Sequence, residues 1–383
     1  MDVEKKYHKK TILQVIPALT SGGVERGTLE IAKKVVESGN VSIVISNGGT
    51  LVDKLEQEGS LHIHLDVASK NPFTIWRNAG KIADIIRLHN VDIIHARSRA
   101  PAWSCYLAAK STKIKLITTF HGIYNFKNRI KKYYNSIMTE GIKVIAVSNF
   151  VSTHIIENYK IKDKEKIVVI HRGVNHAEFS KQHLSDEILY KFREKYNVPI
   201  NSPIILLPSR MTRWKGHLYL IEALNKIKDL NFYCILAGDL SKHPHFVNNI
   251  QDKIREYKLQ NRVQLFGNEP NMLGLYGIAD IVLSTSIEPE AFGRTIIEAQ
   301  SMEKIVIATN IGGACETIQD NVTGFHVQPK NSVDLAKKIQ LALEILGTEK
   351  EKEITQAARA SVIKDFSLKL MLEKTLNIYN EVD

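Results

Sequence analysis

The stretch "ADIVLSTSIEPEAFGRTIIEAQ" (Ala279–Gln300) decides the fold. It opens with an apolar run of strand type, passes through a polar loop carrying Pro289 and Glu290, and enters a helix near Gly293. The same alternation repeats along the whole chain. In the first half the Ile- and Val-rich runs are "TILQVIP", "VSIVIS", "HIHLDV", "VDIIHA", "KLITTF", "KVIAVS" and "KIVVI"; in the second they are "PIILLPS", "FYCILAG", "RVQLFG", "DIVLSTS", "KIVIAT" and "GFHVQ". Near-continuous apolar strands alternating with helices indicate parallel sheets buried on both faces. Two successive sets predict two doubly wound α/β domains, of Rossmann-like type. The polar segment at about 175–202, with the helical "SDEILYKFREKYNV", reads as the connector. Beyond Phe366, the spacing of Leu368, Met371, Leu372, Thr375, Leu376 and Tyr379 predicts an amphipathic helix that crosses back onto the first domain.

The 383 residues suit roughly two domains, and 44% apolar with 24% charged residues is ordinary globular composition. No apolar run reaches the ~18–20 residues of a membrane span. The N-terminal "MDVEKKYHKKTILQVIPALT" has the basic-then-apolar order of a signal peptide, but its apolar part is short and holds Gln14 and Pro17, so it reads as a first strand. Cys105, Cys234 and Cys315 form no CxxC pair, which fits a reducing, cytoplasmic compartment. The net charge of +11 is uneven: residues 1–180 hold 27 Lys+Arg against 16 Asp+Glu, and residues 181–383 hold 25 of each. A basic first half points to an anionic partner.

Several loops carry chemistry. "PALTSGGVERGTLEIA" follows a strand and opens a helix, so Gly22 and Gly23 expose amides to an anion; it lacks the GxGxxG dinucleotide pattern. "TTFHGIY" puts His121 just past a strand end, where open α/β sheets bind ligands. "LLPSRMTRWKG" places Arg210 and Lys215 in one loop, two cations that suit a diphosphate; Arg213 and Trp214 between them acquire no role. In the opening stretch, the amides of Gly293, Arg294 and Thr295 lie where a helix dipole favours phosphate, with Phe292 beside them. Glu290 in the loop and Glu298 about one turn into the helix are carboxylates suited to sugar hydroxyls. Each motif alone is an ordinary loop feature. Their shared place at strand C-terminal ends in both halves predicts a ligand cleft between two facing domains.

On these residues the chain resembles the family-four glycosyltransferases of the GT-B fold. "SRMTRWKG" resembles the family's Arg–Lys diphosphate loop, "EAFGRTIIE" its paired-glutamate motif, and "NIGGACETIQDNVTGFHV" the segment after it. "SGGVERGTLEIA" and "TTFHG" resemble its N-terminal glycine loop and active-site histidine, and "AVSNFV" and "HRGVNHAEF" its late first-domain elements, with Arg172 where the family often has Asn. The resemblance implies an acceptor-binding domain at 1–178 plus about 364–383, and a nucleotide-sugar donor domain at 179–363. It implies that Arg210 and Lys215 bind the donor diphosphate, Glu298 the ribose and Glu290 the transferred sugar. Phe292, Gly293, Arg294 and Thr295 supply backbone contacts, His121 lies beside the donor sugar, and Gly22 and Gly23 lie near the diphosphate and acceptor. Anomeric configuration is retained in this family.

The expected reaction is hexosyl transfer from a nucleotide-diphosphate sugar to a lipid-linked, lipopolysaccharide or other cell-envelope acceptor, with protein cations in place of a metal. Eight helical positions would separate Glu290 from Glu298 by ~12 Å, which favours two binding contacts over a glycosidase acid–nucleophile pair. The segment "NFKNRIKKYYNSIMTEGIKV" places Lys127, Arg129, Lys131 and Lys132 with Tyr133, Tyr134, Ile137 and Met138 as a basic amphipathic face for anionic lipid, consistent with a peripheral place on the inner face of the plasma membrane. Two other readings stay open at this point: a sugar-nucleotide epimerase on a similar scaffold, and a basic nucleic-acid-binding protein. No recognition-helix, zinc or aromatic RNA-binding pattern supports the second, so no nucleic-acid partner is expected.

Overall fold

The computed structural model describes residues 9–20 and 22–382. They divide into two compact units, one of residues up to His171 with Met371 onward, the other Arg172–Leu370.

In the first unit seven parallel strands form one sheet: β1 (Thr11–Val15), β2 (Val41–Ser46), β3 (Leu61–His64), β4 (Ile93–Ala96), β5 (Lys115–Phe120), β6 (Lys143–Ala146) and β7 (Ile167–Val169). Their order is β3-β2-β1-β4-β5-β6-β7. Every residue of β1 and β4 is buried, which is what helices on both faces require of the central strands. β1 pairs with β2 on one side (Leu13 with Ile43) and with β4 on the other (Leu13 with Ile94). The order reverses between β1 and β4, and the loops leaving their C-terminal ends flank the crevice where such sheets take ligands.

The second unit repeats the plan with six parallel strands: β8 (Ile204–Pro208), β9 (Tyr233–Ala237), β10 (Val263–Phe266), β11 (Ile281–Ser284), β12 (Ile305–Thr309) and β13 (Phe325–Val327). Their order is β10-β9-β8-β11-β12-β13, so the reversal lies between β8 and β11. All the apolar runs singled out in the sequence are strands. The opening stretch supplies β11, its loop and the helix Arg294–Ser301.

The final helix, Leu368–Glu381, buries Met371, Thr375, Ile378 and Tyr379, while Leu372 and Leu376 stay half-buried. The buried face is thus rotated from the expected one. Polar contacts explain the rotation. The Tyr379 hydroxyl lies 2.6 Å from His95 Nδ1, whose Nε2 lies 2.7 Å from Thr119 Oγ1, and Lys10 Nζ donates to the Tyr379 carbonyl at 2.9 Å. This buried polar layer also holds Arg97, at the end of β4, whose pKa burial draws down to about 10.

The unit boundaries fall at His171 and Met371, whereas the sequence suggested about 178 and 364. The reason is a local pairing within the second unit. Val174 N donates to Phe366 O at 3.0 Å and Leu368 N to Val174 O at 2.8 Å, so both segments join that unit's core. The connector helix, Asp186–Lys195, also belongs to the second unit.

Candidate active site

The two loops at the β8/β11 reversal are locked together before any charge is considered. Gly216, at φ 78°, ends the short turn Arg213–Lys215 that follows β8. A Cβ there would sit 1.9 Å from the carbonyl oxygen of Thr285, just after β11, so only glycine admits this approach. Thr285 Oγ1 then donates to the Lys215 carbonyl at 2.8 Å, and Ile287 N donates to the Trp214 carbonyl at 2.7 Å.

That framework brings Lys215 Nζ to 2.5 Å from Glu290 Oε1, with both side chains nearly enclosed, at 15% and 13% exposure. Ser286 Oγ donates to the same carboxylate oxygen. Burial lowers the Lys215 pKa; Glu290 opposes that drop and the Arg210 charge adds to it. Arg210 is exposed, and its guanidinium carbon lies 5.4 Å from the Trp214 ring centroid, with Lys215 Nζ at 4.3 Å. His217, behind the loop, is fully buried and within 3.2 Å of Ser209 Oγ; burial holds its ring down to about 4, with the Lys215 charge adding to the effect.

The helix Arg294–Ser301 starts at Gly293, whose φ of 91° lies in the left-handed region and which has no side chain to cap the helix. The first amides therefore meet no capping side chain from that position, and the dipole favours an anion there. Phe292 is buried edge-on against Phe366 at 5.7 Å, so only its backbone faces a ligand role. Gly313 N donates to the Glu290 carbonyl at 2.7 Å, tying the loop after β12 to the glutamate loop.

Glu298 is 7% exposed, and its environment differs from that of Glu290. The buried Tyr276 hydroxyl donates to Glu298 Oε2 at 2.9 Å, and Arg294 Nη2 lies 3.5 Å from Oε1. The two glutamates share no partner in these contacts. Arg210, Lys215, Glu290, Phe292, Gly293, Arg294, Thr295 and Glu298 thus gather at the C-terminal ends of β8 and β11, all in the second unit.

In the first unit, Gly22 caps the helix Gly23–Glu37, which follows the loop from β1, and His121 immediately follows β5. The loop after His121 is stiffened by Tyr124. That ring stacks on Phe120 at 4.9 Å and lies under the Arg99 guanidinium at 4.2 Å. Arg99 Nη1 in turn donates to Asn135 Oδ1 at 2.9 Å. Burial pushes the Tyr124 phenol up, so it stays protonated.

The helix Arg129–Ser136 exposes Arg129 and Lys131 beside Ile130 and Tyr133, which are 81% and 68% exposed. Ile137 and Met138 do not join that face. They lie in the following short turn and are buried in the first unit. The amphipathic face is therefore shorter than the sequence suggested: it keeps Tyr133, gains Ile130 and lacks Ile137 and Met138.

Ser286 and Tyr276, which hold the two glutamates, were not apparent from the sequence. A serine just past a strand and a tyrosine in a buried helix carry no spacing signal. Among the described residues, no group of three or more His, Cys, Asp or Glu is placed to hold a metal ion. No helix among them is long and apolar enough to cross a membrane.

Residues 190–361 match the family model "Glycosyl transferases group 1", and residues 21–178 match "Glycosyltransferase Family 4". The crystal structure of a glycosyltransferase from Rickettsia africae ESF-5 superposes with a TM-score of 0.92 at 60% identity, covering 98% of this chain and 99% of that one. Anabaena Alr3699/HepE, solved in complex with UDP-glucose, superposes at 0.84 with 25% identity, over 97% and 99% of the two chains. Among curated sequences, N-acetyl-alpha-D-glucosaminyl L-malate synthase of Bacillus anthracis is 24% identical over 96% of this chain and 95% of its own. Paired Rossmann-like units, the glutamate and Arg–Lys loops and these matches agree: the chain belongs to the group 1 glycosyltransferases of family 4, enzymes of the GT-B fold.

Proposed function

We propose that this enzyme transfers a hexosyl residue from a nucleoside-diphosphate sugar to a lipid-linked or cell-envelope saccharide acceptor, with retention at the anomeric carbon. The observation that carries the donor half is the gathering of two cations, a helix N-terminus with glycine at its cap and two separately held carboxylates at one strand-order reversal. The UDP-glucose complex of the Anabaena relative supports a uridine nucleotide as donor. Arg210 and Lys215 neutralise the diphosphate, with the amides of Gly293, Arg294 and Thr295 alongside. Glu298 takes the ribose hydroxyls and Glu290 those of the transferred sugar, while Phe292 contributes backbone alone.

In the transfer, the bond from the anomeric carbon to the diphosphate oxygen breaks, and an acceptor hydroxyl attacks from the same face. The leaving phosphate takes that hydroxyl's proton. Negative charge grows on the leaving group, so Lys215, Arg210 and the helix dipole lower the barrier more than they bind the ground state. Because protein cations do this work, we propose that no metal is needed. We assign His121 to the transferred sugar, and Gly22 and Gly23 to the acceptor. The separate partners of Glu290 and Glu298 support two binding roles over a double-displacement pair.

The acceptor half rests on the first unit's charge. Residues 67–136 hold thirteen Lys+Arg and two Asp+Glu. The exposed Ile130 and Tyr133 continue through Trp103, whose ring lies 5.5 Å from that of Tyr133. Basic and aromatic groups together suit an anionic bilayer, and we place the enzyme in the cytoplasm, peripheral on the inner face of the plasma membrane. A small anionic acceptor is the second reading, favoured by the L-malate in the name of the Bacillus relative. Flotation with phosphatidylcholine vesicles, with and without phosphatidylglycerol, separates the two. The bilayer reading expects anionic-lipid-dependent flotation that Ile130→Asp/Tyr133→Asp abolishes; lipid-independent behaviour removes it.

A further inference from the structure

Trp214 lies between the two cations of the diphosphate loop, and nothing in the transfer scheme uses its ring. We infer that Trp214 is a positioning residue: its indole ring is a common partner that holds Arg210 and Lys215 ready for the donor's diphosphate. The inference rests on the reading that those two cations bind the diphosphate.

Two cations on one loop repel, and without an anion they would splay apart. Arg210 is exposed and has a long, mobile stem, so little else fixes its head. Lys215 is drawn towards Glu290 at 2.5 Å. The Trp214 ring attracts both, with Lys215 Nζ 4.3 Å and the Arg210 guanidinium carbon 5.4 Å from its centroid. Both distances lie within the ~6 Å range of a cation over an aromatic face, and indole is the strongest such face.

Trp214 is itself fixed. The Trp214 carbonyl accepts from Ile287 N at 2.7 Å, and the neighbouring Lys215 carbonyl accepts from Thr285 Oγ1 at 2.8 Å. Both donors come from the loop that carries Glu290. The ring therefore sets the cations in register with the carboxylate that faces the sugar. Ordering them before the ligand arrives removes part of the entropy lost on binding.

Calorimetric titration with the tightest of UDP, GDP, ADP and dTDP tests this on the full-length enzyme. Trp214→Leu should weaken binding about tenfold, as the loss of two shared contacts implies. Trp214→Phe, which keeps a ring face, should recover most of that loss, and the melting temperature should stay the same in both. Binding by Trp214→Leu within twofold of wild type overturns the inference, as does equal loss in Trp214→Phe and Trp214→Leu. The control is Arg210→Ala/Lys215→Ala. If it binds the nucleotide as wild type does, or if wild type binds none of the four, the diphosphate reading itself falls.

A second measurement does not depend on the leucine variant folding. The chain has three tryptophans, and Trp76 and Trp103 both lie in the first unit. In Trp76→Phe/Trp103→Phe protein, nucleotide binding should change the emission of Trp214, because the phosphates neutralise the two cations held at its ring. Saturable binding with an unchanged spectrum contradicts the proposal.

Discussion

Replacing Lys215 with methionine separates the structural and catalytic duties of one side chain. The ammonium lies 2.5 Å from Glu290, and both side chains are about one-eighth exposed. Removing one partner of a fully buried pair costs about 3–5 kcal/mol, because the other charge stays buried and uncompensated. Here Ser286 still donates to the stranded carboxylate and a little water reaches it, so about 2–3 kcal/mol is expected. Adding Glu290→Gln removes the stranded charge and should restore most of that stability. Activity should behave differently. On the proposed reading the lost cation stabilises the leaving diphosphate by about 3 kcal/mol, so kcat/KM should fall roughly 10²-fold in Lys215→Met. It should stay low in the double variant. Urea unfolding followed by circular dichroism reads the first quantity, and release of nucleoside diphosphate from the sugar nucleotide reads the second. A double variant that regains activity along with stability would refute the assignment, because the cation would then matter only for folding.

Three further outcomes follow from the site. Glu298→Ala should raise the donor KM by at least about tenfold with a much smaller change in kcat, since the interaction is made in both the ground and transition states; a pure kcat effect contradicts a ribose contact. His121→Ala should instead lower kcat by about 10²-fold and leave donor KM close to wild type, as initial rates over a range of donor concentrations will show. His217 gives a pH dependence. Its folded pKa of about 4 lies below the ordinary 6.5, so the unfolded chain binds the proton first. The neutral ring's contribution is whole above about pH 6.5 and is lost as pH falls towards 4, by roughly 3 kcal/mol at most. Unfolding free energies of wild type and His217→Gln, measured from pH 7 to 4, should converge or cross by that amount; parallel curves would place the charge of His217 elsewhere.

Much of this enzyme is legible in its amino-acid order because strand burial imposes a strong pattern. Parallel strands covered on both faces must be apolar along their length, and each such run is a strand in one of two sheets. Gly293 was readable for a related reason: a glycine between a strand and a helix marks a turn that other residues avoid, and its φ is 91°. The supports of the site were less legible. Tyr276 meets Glu298 across 22 positions and Lys215 meets Glu290 across 75, contacts that follow from the sheet order and not from local spacing. The apolar pattern around Ile137 and Met138 misled for the same reason. Those side chains serve the first unit's core, and only tertiary packing shows which face of a short helix is covered. In the last helix, a polar network at His95 and Tyr379 turned the buried face away from the leucines that periodicity favoured.

We have proposed that this chain cleaves the bond between a sugar and a nucleoside diphosphate by means of the Arg210–Lys215 loop. The most direct test is to incubate the wild-type enzyme with a panel of nucleotide sugars and follow products by phosphorus NMR. Slow release of nucleoside diphosphate from one donor is expected, with UDP-glucose the first to try, and about 10²-fold slower release in Lys215→Met. Conversion of a donor to an isomeric nucleotide sugar with no free diphosphate, or equal release by the variant, would contradict it.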